Sequence, residues 1–152
     1  MVEKSQCYSI GYGNRSFDDF VQILIKNGIT NLVDIRRYPH STFEDFNRES
    51  LERTLPLNNI IYAHCEGVGG LRDSTYIEYM GTGEFRNSFA QLLNYINNVN
   101  KEGGKVVLMC AEKNPKECHR RYIAQQLEQI GIIMIHLTET GQMDLSSFLN
   151  VT

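Results

Sequence analysis

Short apolar runs alternate along the chain with longer stretches of helical spacing, and glycine, proline or a capping residue marks most changes. Cys7-Tyr8-Ser9-Ile10 has the β-prone character of a strand, ended by the turn residues Gly11-Tyr12-Gly13-Asn14-Arg15. Ser16 then fits a helix N-cap with Asp18 and Asp19 in the first turn. Phe17, Phe20, Val21, Leu24 and Ile25 make the apolar stripe of that helix, and Asn27-Gly28 closes it. Leu32 to Ile35 reads as a second strand and Ile60 to His64 as a third, with a short helix capped by Asn47 and stopped by Pro56 between them. Helical spacing returns at Tyr76–Met80 and through Phe85, Phe89, Leu92, Leu93 and Ile96, until Gly103-Gly104. Lys105 to Cys110 is apolar on both faces, as in the middle of a parallel sheet. His119 to Ile130 reads as a helix, Ile132 to Ile135 as a fifth strand, and Asp144 as the cap of a last helical turn.

Strands alternating with helices predict βαβ units around one parallel sheet covered on both faces. The expected architecture is a single three-layer α/β domain over residues 1–152, Rossmann-like or flavodoxin-like, with a mainly parallel sheet of about five strands. Sheets of this kind bind ligands beyond the carboxyl ends of their strands. The polar residues that follow each apolar run therefore become the candidates for function.

Composition narrows the class. The chain has 152 residues, with 15 Lys+Arg against 18 Asp+Glu and a formal charge of −3. That balance disfavours a coat of positive charge for duplex DNA and leaves room for a local basic site. The longest wholly apolar run, Val106 to Ala111, is far too short for a membrane helix, and the polar start at Glu3-Lys4-Ser5-Gln6 does not resemble a secretory leader. A cytoplasmic protein with reduced thiols is the expectation.

The candidate chemistry lies in four segments. Gly11-Tyr12-Gly13-Asn14-Arg15-Ser16 allows close backbone approach before a helix N-terminus and falls one residue short of a dinucleotide fingerprint, Ser16 standing at the third glycine position. The chain is too short for a second mononucleotide half and a substrate domain, so no nicotinamide cofactor is expected. Asp34-Ile35-Arg36 puts an acid and a base on one face of a strand end. Arg36 suits a phosphate or carboxylate through its planar fork, with a structural salt bridge as the alternative. Gly69, Gly70 and Arg72 follow the third strand. Cys110 to Arg121 carries a formal +2 and sets Arg120 and Arg121 at a helix start, against the macrodipole preference, which reads as an anion site.

The remaining reactive residues divide between packing and chemistry. Cys7 and Cys65 read as packing residues. Cys110 is either a nucleophile at a strand–loop–helix junction or a buried thiol ending a strand. Cys118 and His119, with Cys110 or His64, match no regular zinc spacing, so no metal is expected. His40 and His136 read as loop and strand-end residues. Tyr76, Tyr79, Phe85 and Phe89 read as a core stripe from which Tyr76 and Tyr79 reach the cleft.

Several of these segments occur together elsewhere. Ile10-Gly11-Tyr12-Gly13-Asn14-Arg15-Ser16, Val33-Asp34-Ile35-Arg36, Gly69-Gly70-Leu71-Arg72, Tyr79-Met80…Glu84-Phe85 and above all Cys110-Ala111-Glu112…Pro115…Cys118-His119-Arg120 resemble the family called "domain of unknown function 488". The resemblance runs from about Tyr8 to Leu137 and implies a compact α/β fold with a shared polar site, without an assigned reaction. Members of that family commonly carry His-Ser where this chain has Tyr12-Gly13, which makes the dinucleotide-like spacing incidental.

The expected function is that of a hydrolase or transferase acting on an anionic nucleotide- or nucleic-acid-derived substrate. Glu112 would attack or accept a proton and Asp34 would orient or assist, since a carboxylate pair across a cleft suits chemistry at a glycosidic carbon. His119 would shuttle a proton. Asn14, Arg15, Arg36, Gly69, Gly70, Arg72, Cys118 and Arg120 would line the cleft and hold the anion. One rival reading makes Cys110 the nucleophile of a phosphatase or sulfurtransferase. Another is a non-catalytic module that binds a nucleotide or nucleic acid in the same cleft.

Overall fold

The computed structural model describes residues 5–69, 75–111, 120–138 and 141–144. In chain order the elements are β1 (Gln6–Gly11), α1 (Phe17–Lys26), β2 (Asn31–Asp34), α2 (Arg48–Thr54), β3 (Ile61–His64), α3 (Tyr76–Met80), α4 (Gly83–Lys101), β4 (Val106–Cys110), α5 (Arg120–Gln129), β5 (Ile133–Thr138) and β6 (Gly141–Asp144). They form one sheet in the order β3-β2-β4-β1-β5-β6. The first five strands pair in parallel, and β6 adds to β5 in the antiparallel sense. The chain is thus an α/β protein of the Rossmann or flavodoxin type.

Local sequence explains why each element starts and stops. Ser16 caps α1 by accepting from Asp19 N, and Gly28 takes a positive φ of 70° just after it, a conformation that glycine adopts without a Cβ penalty. Pro56 does not simply stop α2. It opens a 3-10 turn, Leu55–Asn58, whose end Asn59 is left-handed. Asn47 precedes α2 without capping it, because its Oδ1 accepts from Ser41 N instead. The expected helical turn at Asp144 is replaced, as far as that residue, by the end of β6. The residues beyond it lie outside the described set.

Two hydrophobic layers sandwich the sheet. Phe20, Val21 and Leu24 of α1 and Leu51 of α2 cover Leu32, Val107 and Met109 on one face. Phe85, Leu92 and Ile96 of α4 and Ile123, Ala124 and Leu127 of α5 cover Val33, Val106, Leu108 and Met134 on the other. Burying each large side chain contributes about 1.5–3 kcal/mol, so these layers fix the strand register. β4 is buried at every residue because both layers meet on it.

The chain leaves β2 for β3 through α2 on one face, and leaves β4 for β5 through α5 on the other. Since β2 and β4 are neighbours, their outgoing connections diverge, which makes this edge a topological switch point, where sheets of this kind place their ligands. Asp34 ends β2 there, paired with Met109. The turn after β1 is stitched to the same edge, with Tyr12 N donating to Cys110 O at 3.1 Å and Gly13 N to Ala111 O at 2.8 Å.

Candidate functional site

The side chains at the β2 exit form a buried polar cluster. Asp34 is fully buried, and its carboxylate accepts four hydrogen bonds. Arg36 Nε donates to Oδ1 at 2.8 Å, Arg36 Nη2 to Oδ2 at 2.6 Å, Arg36 N to Oδ1 at 3.1 Å and Tyr62 OH to Oδ2 at 2.6 Å. Burial works against the charge on Arg36, but its bonds to Asp34 and the attraction of that carboxylate raise its pKa above the usual value. Burial, with the neighbouring Asp34 charge, pushes the Tyr62 phenol far up, so it remains a proton donor.

The fork leaves one end of the guanidinium loosely held. Arg36 Nη1 reaches Tyr12 OH and His40 O only at 3.4 Å each, while the guanidinium lies 5.4 Å from the Tyr12 ring centroid. Such distances exceed a good N–H···O bond. His64 holds the main chain beneath, its Nε2 donating to Arg36 O at 2.6 Å while its Nδ1 accepts from Arg48 Nη1 at 3.3 Å. Tyr62 and Arg48 escaped the sequence reading, which weighed His64 as a metal ligand and not as a brace for Arg36. Register explains why, since Leu32 pairs with Tyr62 and Asp34 with His64 only once β3 is laid beside β2.

Gly69 sets the third wall. A Cβ there would stand 2.4 Å from Arg37 N and 2.8 Å from Ile35 O, so the two backbones touch directly. The tyrosines expected to reach the cleft instead pin this turn from the core, Tyr76 OH donating to Val68 O at 2.7 Å and Tyr79 OH to Gly67 O at 2.6 Å. Both rings are buried because their hydroxyls find carbonyl partners there.

The other expected residues are arranged differently. Arg120, at the start of α5, is fully buried and donates from Nη1 to Ser9 Oγ at 3.2 Å, and Ser9 Oγ is hydrogen-bonded in turn to His136 Nδ1. Burial, then the charge of Arg120, lowers the His136 pKa to about 4, so the imidazole is neutral at pH 7. Ser9 shares its sheet face with Cys7, whereas Asp34 and Arg36 lie on the face of Leu32 and Tyr12. The sheet therefore separates Arg120 from Arg36, and the two do not form one anion clamp. His136 is a buried partner of this network rather than a plain strand-end residue.

Arg15 is buried, its Nε donating to Gly11 O at 3.1 Å, and with the exposed Asn14 it borders a groove along α1 shared with Asp19, Gln22, Ile23 and Lys26. The α1 N-terminus is occupied by Ser16 and faces Asp18 and Asp19, which is a capped helix rather than a phosphate cradle.

Cys110 departs from the expectation of reduced thiols. It is disulfide-bonded, while Cys7 and Cys65 are free. A sulfur held in a disulfide is not a thiolate, which removes the warrant for Cys110 as a resting nucleophile. Gly70, Arg72, Glu112, Cys118 and His119 lie outside the described residues. Among the described residues no cluster of three or more His, Cys, Asp or Glu side chains is placed to hold a metal ion. Among them, too, no helix is long and apolar enough to cross a membrane.

The fold and the buried cluster at the β2 exit define an α/β protein with a polar strand-end site. The chain belongs to the family described as "Domain of unknown function DUF488", whose profile matches residues 16–127. No curated protein and no solved structure matches the chain.

Proposed function

We propose that the chain is an enzyme, a hydrolase or transferase, that takes an anionic nucleotide- or nucleic-acid-derived substrate at the β2/β4 switch point. The observation that carries this reading is the buried Asp34–Arg36 fork. Taking two charges out of water costs several kcal/mol per ion before their attraction is counted. A fork that commits Nε and Nη2 yet leaves Nη1 on two 3.4 Å contacts suits a guanidinium kept straight for an incoming oxyanion. Asp34, with four bonds accepted, is a positioning residue in this reading and not the base. That role falls to Glu112, two residues beyond the end of β4 in sequence, with His119 as proton carrier.

The test is a turnover and thermal-shift screen against nucleotides, nucleosides, sugar phosphates and short oligonucleotides. Arg36→Gln is expected to weaken binding of the active compound at least about tenfold, by removing the positive charge and the Nη1 donor that the fork leaves for the ligand. Glu112→Gln is expected to retain or tighten binding while abolishing turnover. A compound that binds well, is never converted and binds the Glu112 variant no differently would leave a non-catalytic binding module in place of the enzyme.

A further inference from the structure

β3 stands at one end of the strand order, so one side of its main chain has no strand neighbour among the described residues. We infer that this edge is a self-association surface, on which β3 of a second copy of the chain pairs antiparallel about a two-fold axis at Ala63. The inference stands apart from the anion site and does not depend on it.

The hydrogen-bond pattern decides which groups are on offer. Ile61 N donates to Thr30 O and Cys65 N to Asp34 O, each at 2.9 Å, so residues 61, 63 and 65 turn their main chain toward β2. Tyr62 and His64 turn theirs outward. Ile60 N, the next outward group, is already committed to Leu55 O at 3.1 Å. An antiparallel partner that uses only the outward groups sets Tyr62 opposite the second copy's His64, and His64 opposite its Tyr62. Ala63 then faces its own counterpart at the axis, as a two-fold contact requires.

The side chains fit the same register. Ala63 packs with the layer under α4 and Tyr62 with the opposite layer, so Ile61, two residues before Ala63, lies on the α4 face. Ile61 is 60% exposed there, whereas every residue of the neighbouring β2 is buried. On that face β2, β3 and α4 leave between them a pocket of about 160 Å³, whose walls include Val33, Ala63, Cys65, Leu92 and Tyr95. The register sets the second copy's Ile61 opposite Cys65, on the wall of this pocket, and symmetry repeats the fit in return. The smallest side chain, Ala63, stands where the two strands come closest.

The strand also lacks the devices that keep edges apart. Ile61-Tyr62-Ala63-His64 holds no proline, lysine or acid. The His64 ring is engaged with Arg36 O and Arg48, and Arg48 is balanced by Glu52 on its own helix. Leu57, 81% exposed in the 3-10 turn that leads into β3, adds a second bare aliphatic at the start of the strand. Because the copies run antiparallel, their β2/β4 switch points face opposite ends of the doubled sheet.

Sedimentation velocity on the full chain, from about 1 μM to about 1 mM, tests the proposal across weak and moderate self-association. The wild type should pass from monomer to dimer as concentration rises. Ile61→Arg, at a position the folded monomer leaves exposed, should raise the dimer dissociation constant at least about tenfold, and Ile61→Val should leave it within about twofold. Ala63→Cys gives an independent measurement. Facing residues of a non-hydrogen-bonded antiparallel pair lie about 4.5 Å apart at Cα, so mild oxidation should link two chains through position 63, which peptide mapping reads. A chain that stays monomeric throughout, a dimer that Ile61→Arg leaves intact, or a thiol at position 63 that never links two chains overturns the inference.

Discussion

Arg36 and Asp34 stand two residues apart at the exit of β2 and meet as a bidentate fork, Nε on Oδ1 at 2.8 Å and Nη2 on Oδ2 at 2.6 Å. Neither partner is replaceable alone. Asp34→Asn leaves the buried Arg36 cation without its counter-charge and is expected to cost about 3–5 kcal/mol, a large share of the about 5–15 kcal/mol that holds a domain folded. Tyr62→Phe removes one donor to the same carboxylate and should cost about 1.5–3 kcal/mol. Urea denaturation of both variants beside the wild type checks the ranking.

Acid should weaken the fold through His136. Its folded pKa of about 4 lies below the ordinary value of 6.5, so between those limits the unfolded chain binds the extra proton. The contribution is fully present above pH 6.5 and is lost as pH falls through 4, to a total of about 3 kcal/mol. His136→Gln should flatten the stability–pH slope in that window. Chemical denaturation at several pH values for both proteins measures it.

Gly69 should tolerate no side chain. Its would-be Cβ, 2.4 Å from Arg37 N, meets backbone that cannot rotate away, so Gly69→Ala is expected to cost at least about 1–3 kcal/mol and to weaken anion binding together with stability. Gly83→Ala is the matched control. Nothing lies within 4 Å of its Cβ position, and the change should be neutral or stabilising by about 0.4–1 kcal/mol. Thermal melts with and without ligand separate the two effects.

Alkylation reports the state of Cys110. In denaturant without reductant, iodoacetamide should label Cys7 and Cys65 and leave Cys110 unlabelled, and a reductant should release it. Peptide mass mapping reads this directly. If Glu112 carries the chemistry, turnover should not require reductant, whereas a Cys110 nucleophile would need it.

Periodicity and punctuation made most of the fold legible before any coordinates. The Ser16 cap, the α1 stripe and the doubly buried β4 follow from local residue order, which a linear reading captures. β6 did not announce itself, since Gly141-Gln142-Met143-Asp144 lacks a β-branched or alternating pattern and owes its state to pairing with β5. At the site, the Asp34–Arg36 pair was readable because two residues on a strand end share a face. Tyr62, and the part His64 plays beneath Arg36, were not, because only the β2–β3 register brings them near. The separation of Arg120 from Arg36 was equally hidden. It depends on which face of the sheet each helix takes, and strand-end position alone carries no such information.

The main-chain bonds from Tyr12 and Gly13 to the carbonyls of Cys110 and Ala111 have a mechanical consequence. They extend the β1–β4 ladder past the last strand residues, so the turn entering α1 and the start of the segment after β4 are clamped as one body. Force applied at Ala111 is therefore carried straight into the turn that bears Asn14 and Arg15, and from there into β1 at the centre of the sheet.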